Sequence, residues 1–195
     1  MELCDEFDGG FGWIEDGFMR RCGHALVADG RVWLVDPFDD EGLEEQVLAT
    51  AEPGGVIQLL DRHNRDCEPL ARRLGVPLYR LDAPPPFEAI PLGTPPGWNE
   101  VALWWPERRV LVVADALGTA RYFRAGDERL GVHPLLRPIP PRRLGRLAPD
   151  RFLTGHGEGI HEGAAGALAE ALATARRRIP AYLWGGFRAH VLNRR

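Results

Sequence analysis

The chain has 195 residues, 45% hydrophobic and 27% charged, with 24 basic against 28 acidic side chains and a net charge of −4. That composition fits one soluble globular domain with a sizeable core and argues against nucleic-acid or anionic-membrane partners. Neither lysine nor serine occurs, so every basic residue is arginine and the only hydroxyl side chains are five threonines and three tyrosines; a Ser-His-Asp hydrolase, a P-loop NTPase, a protein kinase and a Schiff-base enzyme are thereby excluded.

The N-terminus, Met1 to Asp8, is acidic where a secretion signal would be basic and then apolar, and no apolar run approaches ~18 residues. Three cysteines, Cys4, Cys22 and Cys67, have no CxxC spacing and leave one thiol over in any disulfide scheme, so a reducing, cytoplasmic setting is expected. Residues 24–28 and 31–35 flank Asp29-Gly30, which predicts a hairpin because both turn positions need positive φ. A helix is expected over 41–52, a buried strand over 56–60, and then a polar loop, Asp61 to Cys67. Glu68 to Leu74 reads as a helix closed by Gly75, and 76–80 as a returning strand.

After a proline-rich link over 83–87, strands at 101–105 and 110–114 surround the turn Pro106-Glu-Arg-Arg109. Trp104 and Trp105 must face opposite sides of their sheet, one in the core and one under a helix or at a partner surface. A short strand at 151–154 runs into Gly155-His-Gly-Glu-Gly159, and a helix over 164–179 is ended by Pro180. The apolar stretch 182–187, within a tail over 180–195, suits docking on the body or on a second copy in a homodimer. Strand, loop and helix thus occur twice, as in a two-sheet sandwich with helices outside.

Polar clusters follow three of these strands: Arg62 to Cys67, Asp115, and His156. Donors delivered by separate strand ends are what a metal site needs. A strand-end aspartate also serves as a turn or cap residue. His63 is expected to point out of its loop or to bond backbone, and His133 to make a structural hydrogen bond.

The order of these clusters resembles the metallo-β-lactamase superfamily, which includes ribonuclease Z and hydroxyacylglutathione hydrolase. Val35-Asp36-Pro37 stands at the end of the early hairpin, and Arg62-His-Asn-Arg-Asp-Cys67 stands where the family carries His-x-His-x-Asp-His. Pro96-Gly97-Trp98 resembles the Pro-Gly-His segment, Ala114-Asp115 the bridging-aspartate strand, and Thr154-Gly155-His156-Gly157 the last motif. The resemblance spans residues 20–175 and implies an α/β fold, the four-layer αββα sandwich, as a single domain over 1–195. Arg62, Asn64 and Trp98 replace histidines of the first metal position, which removes it, since arginine does not ligate and tryptophan has no acceptor atom.

Asp66, Cys67, Asp115 and His156 remain as competent ligands at the second position. Two readings stay open. In the first, one zinc ion, or iron or manganese, binds these four residues and Arg62 stabilises an oxyanion during hydrolysis of an ester, thioester, amide or phosphate. In the second no metal binds, Arg62 pairs with Asp115 or Asp66 in its place, Trp98 fills the remaining volume, and the old cleft takes a small molecule or a partner.

Overall fold

The computed structural model describes residues 1–63 and 65–184. Among the described residues, twelve strands and three α-helices carry the architecture. The first sheet, in spatial order, is β1 (Glu2–Phe7), β2 (Gly10–Ile14), β3 (Cys22–Ala28), β4 (Arg31–Val35), β5 (Glu52–Gln58) and β6 (Leu78–Arg80). The second sheet runs from β7 (Glu88–Pro91) through β8 (Val101–Trp105) and β9 (Val110–Val113) to β12 (Arg151–Thr154). The pair β10 (Leu117–Gly118) and β11 (Gly131–Val132) stands apart. Helices α1 (Leu43–Thr50) and α2 (Cys67–Leu74) belong with the first sheet and α3 (Ala164–Thr174) with the second.

Side-chain alternation divides the interior into three layers. Val101, Leu103 and Trp105 of β8 meet Leu26, Val35 and Ile57 between the sheets. Their neighbours Ala102 and Trp104 turn the other way, beneath Leu168, Ala171 and Leu172 of α3. On the far side, Leu34 and Val56 pack against Leu43 and Val47 of α1 and Leu70 of α2. The period-two pattern of a strand buried on both faces therefore builds the αββα sandwich, and the two tryptophans do lie on opposite sides. Among the described residues, no helix is long and apolar enough to cross a membrane.

The β3–β4 turn has φ of 52° at Asp29 and 73° at Gly30, and Gly75 closes α2 at φ 67°, as their sequence context predicts. Several elements differ from expectation, among them β5, which begins at Glu52 and ends at Gln58 where a strand over 56–60 is expected. The N-terminal hairpin β1–β2 and the proline-bearing edge strand β7 carry too few consecutive apolar residues to announce themselves. The helix expected over 164–179 ends at Thr174, and after a turn at 175–178 the chain is helical again over 179–184, with Pro180 in that first turn, where a missing N–H costs nothing. Only residues 182–184 of the apolar stretch and 180–184 of the tail fall inside the described residues.

Between β10 and β11 the chain folds over a buried ion pair. Arg137 reaches both carboxylate oxygens of Glu128, at 3.1 and 2.6 Å, and also donates to Phe123 O at 2.6 Å. Glu128 in turn accepts from Ala125 N. With both side chains sealed from solvent, Glu128→Ala leaves a buried guanidinium unpaired and is expected to lower unfolding free energy by about 3–5 kcal/mol in chemical denaturation; an effect below ~1 kcal/mol would show that the pair does not hold this segment.

Candidate metal centre

The carboxyl ends of β4, β5, β9 and β12 lie at one rim of the sandwich, each leading into a segment that carries a polar residue. Asp36 follows β4 at φ 43°, its Oδ1 accepting from Leu59 N at 3.0 Å. His63 lies in the loop after β5, Asp115 after β9, and His156 after β12. Rigid paired strands thus fix the positions of side chains far apart in sequence.

His63 Nε2 and His156 Nε2 lie 2.8 and 2.9 Å from the same oxygen, Asp115 Oδ1. These three residues present donor atoms that are all within 4.8 Å of one another. Of their other ring nitrogens, His156 Nδ1 lies 3.0 Å from Met19 O, while His63 Nδ1 faces Asp36 Oδ2 at 3.5 Å without a hydrogen bond. The His156 ring stacks on Phe123 at 5.3 Å. Burial raises the Asp115 carboxyl, but hydrogen bonds from His156 and His63 overcome it and hold the group far below the usual carboxylate range. For His63, burial favours the neutral ring, yet Asp115 and Asp36 outweigh it and push the imidazole up to about 9.

Two further buried groups secure this rim. The Arg65 guanidinium donates to the carbonyls of Cys22, Asp36 and Gly155, tying β3, β4 and the end of β12 together. Glu100 Oε1 accepts from three successive amides, Ala114 N, Asp115 N and Ala116 N, at 3.0 to 3.1 Å, while Oε2 accepts from Trp98 Nε1 at 2.8 Å. Burial pushes Glu100 up to about 7, with the Ala116 amide pulling the other way.

Of the residues singled out in the sequence, Asp115 and His156 meet here. Asp66 and Cys67 are not among the converging donors: Asp66 Oδ2 accepts from Asp39 N at 2.8 Å, and Cys67 is packed in the apolar layer with Leu34 and Val56 at the start of α2. Burial accordingly holds the Cys67 thiol above its ordinary range. Arg62 does not pair with Asp115 or Asp66; its guanidinium lies 4.2 Å above the Trp98 ring and donates to Gly97 O at 3.1 Å. The buried arginine of the loop is Arg65, three residues on. His63, expected to face outward, is turned into the centre, because Asp36 and Asp115 lie on either side of its ring. One usable signal was present: His63 is the lone imidazole in the loop after a fully buried strand. His133 does make a structural hydrogen bond, its Nδ1 accepting from Leu135 N at 3.2 Å, which leaves the proton of the neutral ring on Nε2. Burial pushes His133 down to about 4.

Beside Asp115 opens a cleft of about 470 Å³, lined by Arg62, Trp98, Tyr122, His133 and Leu136 among others.

No protein-family model matches the chain, and no curated protein matches it. Solved structures do. A DIM-1 metallo-β-lactamase exposed to ceftazidime superposes with a TM-score of 0.57 at 14% identity, over 90% of this chain and 98% of that one. A metallo-β-lactamase from Pontibacter korlensis gives 0.60 at 12%, covering 88% and 98%, and VMB-1 at pH 5.5 gives 0.62 at 10%, covering 95% and 97%.

Glu100→Gln keeps the shape but sets an amide N–H against the backbone amides or against the Trp98 indole, and is expected to cost about 1–3 kcal/mol in denaturant unfolding; a neutral effect would mean the cradle tolerates a donor. In chelator-treated protein the raised His63 gives stability that is whole below about pH 6.5 and lost as pH rises through about 9. Melting curves from pH 6 to 10 should therefore show the wild type losing its advantage over His63→Gln in that window, and a constant gap would refute it.

Proposed function

From the metallo-β-lactamase fold that this chain adopts, we propose that the protein is a hydrolase working with a single divalent metal ion held by His63, Asp115 and His156. The observation that carries this reading is that His156 has an acceptor-only oxygen opposite each ring nitrogen, Met19 O at Nδ1 and Asp115 Oδ1 at Nε2. A neutral imidazole has one N–H to give, so whichever nitrogen carries it, the other turns a lone pair toward an acceptor oxygen. His63 repeats the pattern between Asp36 and Asp115. A cation among the three donors removes both conflicts, and a carboxylate or carbonyl behind each liganding imidazole is the usual supporting arrangement.

Two imidazoles and a carboxylate suit zinc, iron or manganese. An ion there would supply a Lewis acid and an acidified water for hydrolysis. The chain's own residues do the rest. Asp36 and Met19 O orient the two imidazoles, Glu100 holds the backbone on either side of Asp115, and the aromatic wall of Trp98 and Tyr122 keeps bulk water off the substrate. Arg62, fixed on Trp98 with 3.1 Å to Gly97 O, sets a cation at the cleft for an anionic substrate group or a developing oxyanion. An ester, thioester, amide or phosphate fits this assignment.

A second reading rests on the raised His63: as imidazolium between Asp36 and Asp115, it would neutralise the centre without a metal, and the cleft would bind a small molecule or a partner. Metal analysis after purification without chelator separates the two. On the hydrolase reading, one equivalent is lost in His63→Ala and His156→Ala but kept in Cys67→Ala, hydrolysis of activated esters or thioesters falls with it, and Asp36→Asn weakens metal affinity about 10–100-fold. Metal content indifferent to both histidines would overturn the assignment.

A further inference from the structure

A second group of donors lies on β1 and β3, sharing none of its side chains with His63, Asp115 and His156. β3 delivers Cys22 and His24 to one face, two residues apart. β1 brings Cys4 beside them, and the register shift that begins after Cys4, with Asp5 at φ 53°, turns the Asp5 side chain toward the same spot. Across β1 and β3 stands Gly12, paired with Cys4 on one side and His24 on the other. A Cβ at Gly12 would come within 3.0 Å of Cys4 Sγ, 3.2 Å of His24 Cδ2 and 3.3 Å of Asp5 Cβ, so the space that gathers these side chains exists because residue 12 has none.

The distances match those of a chelate. Cys4 Sγ and Cys22 Sγ are 3.6 Å apart, and Cys4 Sγ lies 3.7 Å from Asp5 Oδ2. Tetrahedral coordination with Zn–S near 2.3 Å and Zn–O near 2.0 Å puts sulfur pairs about 3.8 Å apart and sulfur–oxygen pairs about 3.5 Å apart. The donor atoms of Cys4, Asp5 and Cys22 are mutually within 4.8 Å. Asp5 is already oriented for ligation, because Gly159 N at 2.7 Å and His161 Nε2 at 2.9 Å occupy Oδ1 and leave Oδ2 toward the thiols. His24, 1% exposed, aims Nε2 at the same Oδ2 from 3.4 Å and makes no hydrogen bond there. An unpartnered buried imidazole nitrogen points to something missing between it and the carboxylate. The hydrogen bond with Cys22, burial and the Asp5 charge all hold the Cys4 thiol above its ordinary range, as befits acids gathered with no arginine among them.

We propose that Cys4, Asp5 and Cys22 form a structural binding site for a thiophilic divalent cation of the zinc class, with His24 next in reach for the remaining position. Such an ion clamps the edge strand β1 to β3 across β2, where a short strand otherwise has one neighbour. Loading it releases the thiol protons to solvent and transfers no electrons.

The site is distinguishable from the His63 centre because that centre contains no sulfur. Reduced full-length protein titrated with Co²⁺ is expected to show a sulfur-to-cobalt charge-transfer band saturating at one equivalent and displaced by Zn²⁺. The band should vanish in Cys4→Ala, a partly buried position outside the apolar core clusters, and persist in Cys67→Ala and His63→Ala. Zn²⁺ should also raise the melting temperature of His63→Ala but not of the double variant with Cys4→Ala. No thiolate band, a band that survives Cys4→Ala, or a Cys4–Cys22 disulfide whose reduction restores no cobalt binding would each overturn the proposal.

Discussion

A buried guanidinium ties together the rim that carries the candidate centre. Arg65 gives its N–H groups to carbonyls of Cys22, Asp36 and Gly155, which belong to the start of β3, the end of β4 and the residue before His156. The main chain already joins two of these points, Cys22 N donating to Gly155 O at 2.9 Å beside an antiparallel bridge between Arg21 and His156, and Arg65 adds the end of β4 to that junction. Burying the charge is costly, and burial does lower the Arg65 pKa; the nearby Asp36 and Asp115 carboxylates offset that cost. The sandwich is thus pinned at the end where its two sheets present polar side chains, and the donors of the candidate centre inherit their spacing from that pin.

Much of the frame was legible because it rests on local chemistry. Asp29-Gly30 specified a tight turn, Gly75 a helix end, and the double-faced apolar run of β8 a strand between two layers. Among the elements not expected, β1 and β7 are edge strands with partly exposed residues, β2 is buried but interrupts its apolar residues with Gly10 and Gly12, and β10 and β11 are only two residues long. The helix after His156 is expected too long because Ala175, three arginines and Ile179 are compatible with a continuing helix past Thr174, while only tertiary packing decides where the turn over 175–178 begins.

The site was legible in part, for a different reason. Strand-end position singled out Asp115 and His156, which the structure brings together, since a polar residue just beyond a buried strand has few places to go. Within the loop from Asp61 to Cys67 the direction of each side chain depends on partners remote in sequence, and no periodicity reports it. His63 turns inward because Asp36 and Asp115 flank it, Arg65 because three carbonyls await it, and Cys67 falls into the apolar layer because it begins α2. Arg62, assigned by motif position to a lost metal, instead finds the face of Trp98. Motif alignment located the loop correctly and could not distinguish which of its neighbours face in.

Glu100 links two parts of the molecule that are usually treated as separable. One of its oxygens gathers the three amides around Asp115 and the other takes the indole proton of Trp98, so the cleft wall and the carboxylate that anchors both imidazoles hang from one side chain. A ligand that displaces the Trp98 ring therefore pulls on the peptide that carries Asp115. A substitution that reshapes the wall at Trp98 will therefore shift the donors around Asp115 as well, so cleft shape and donor spacing in this protein change together.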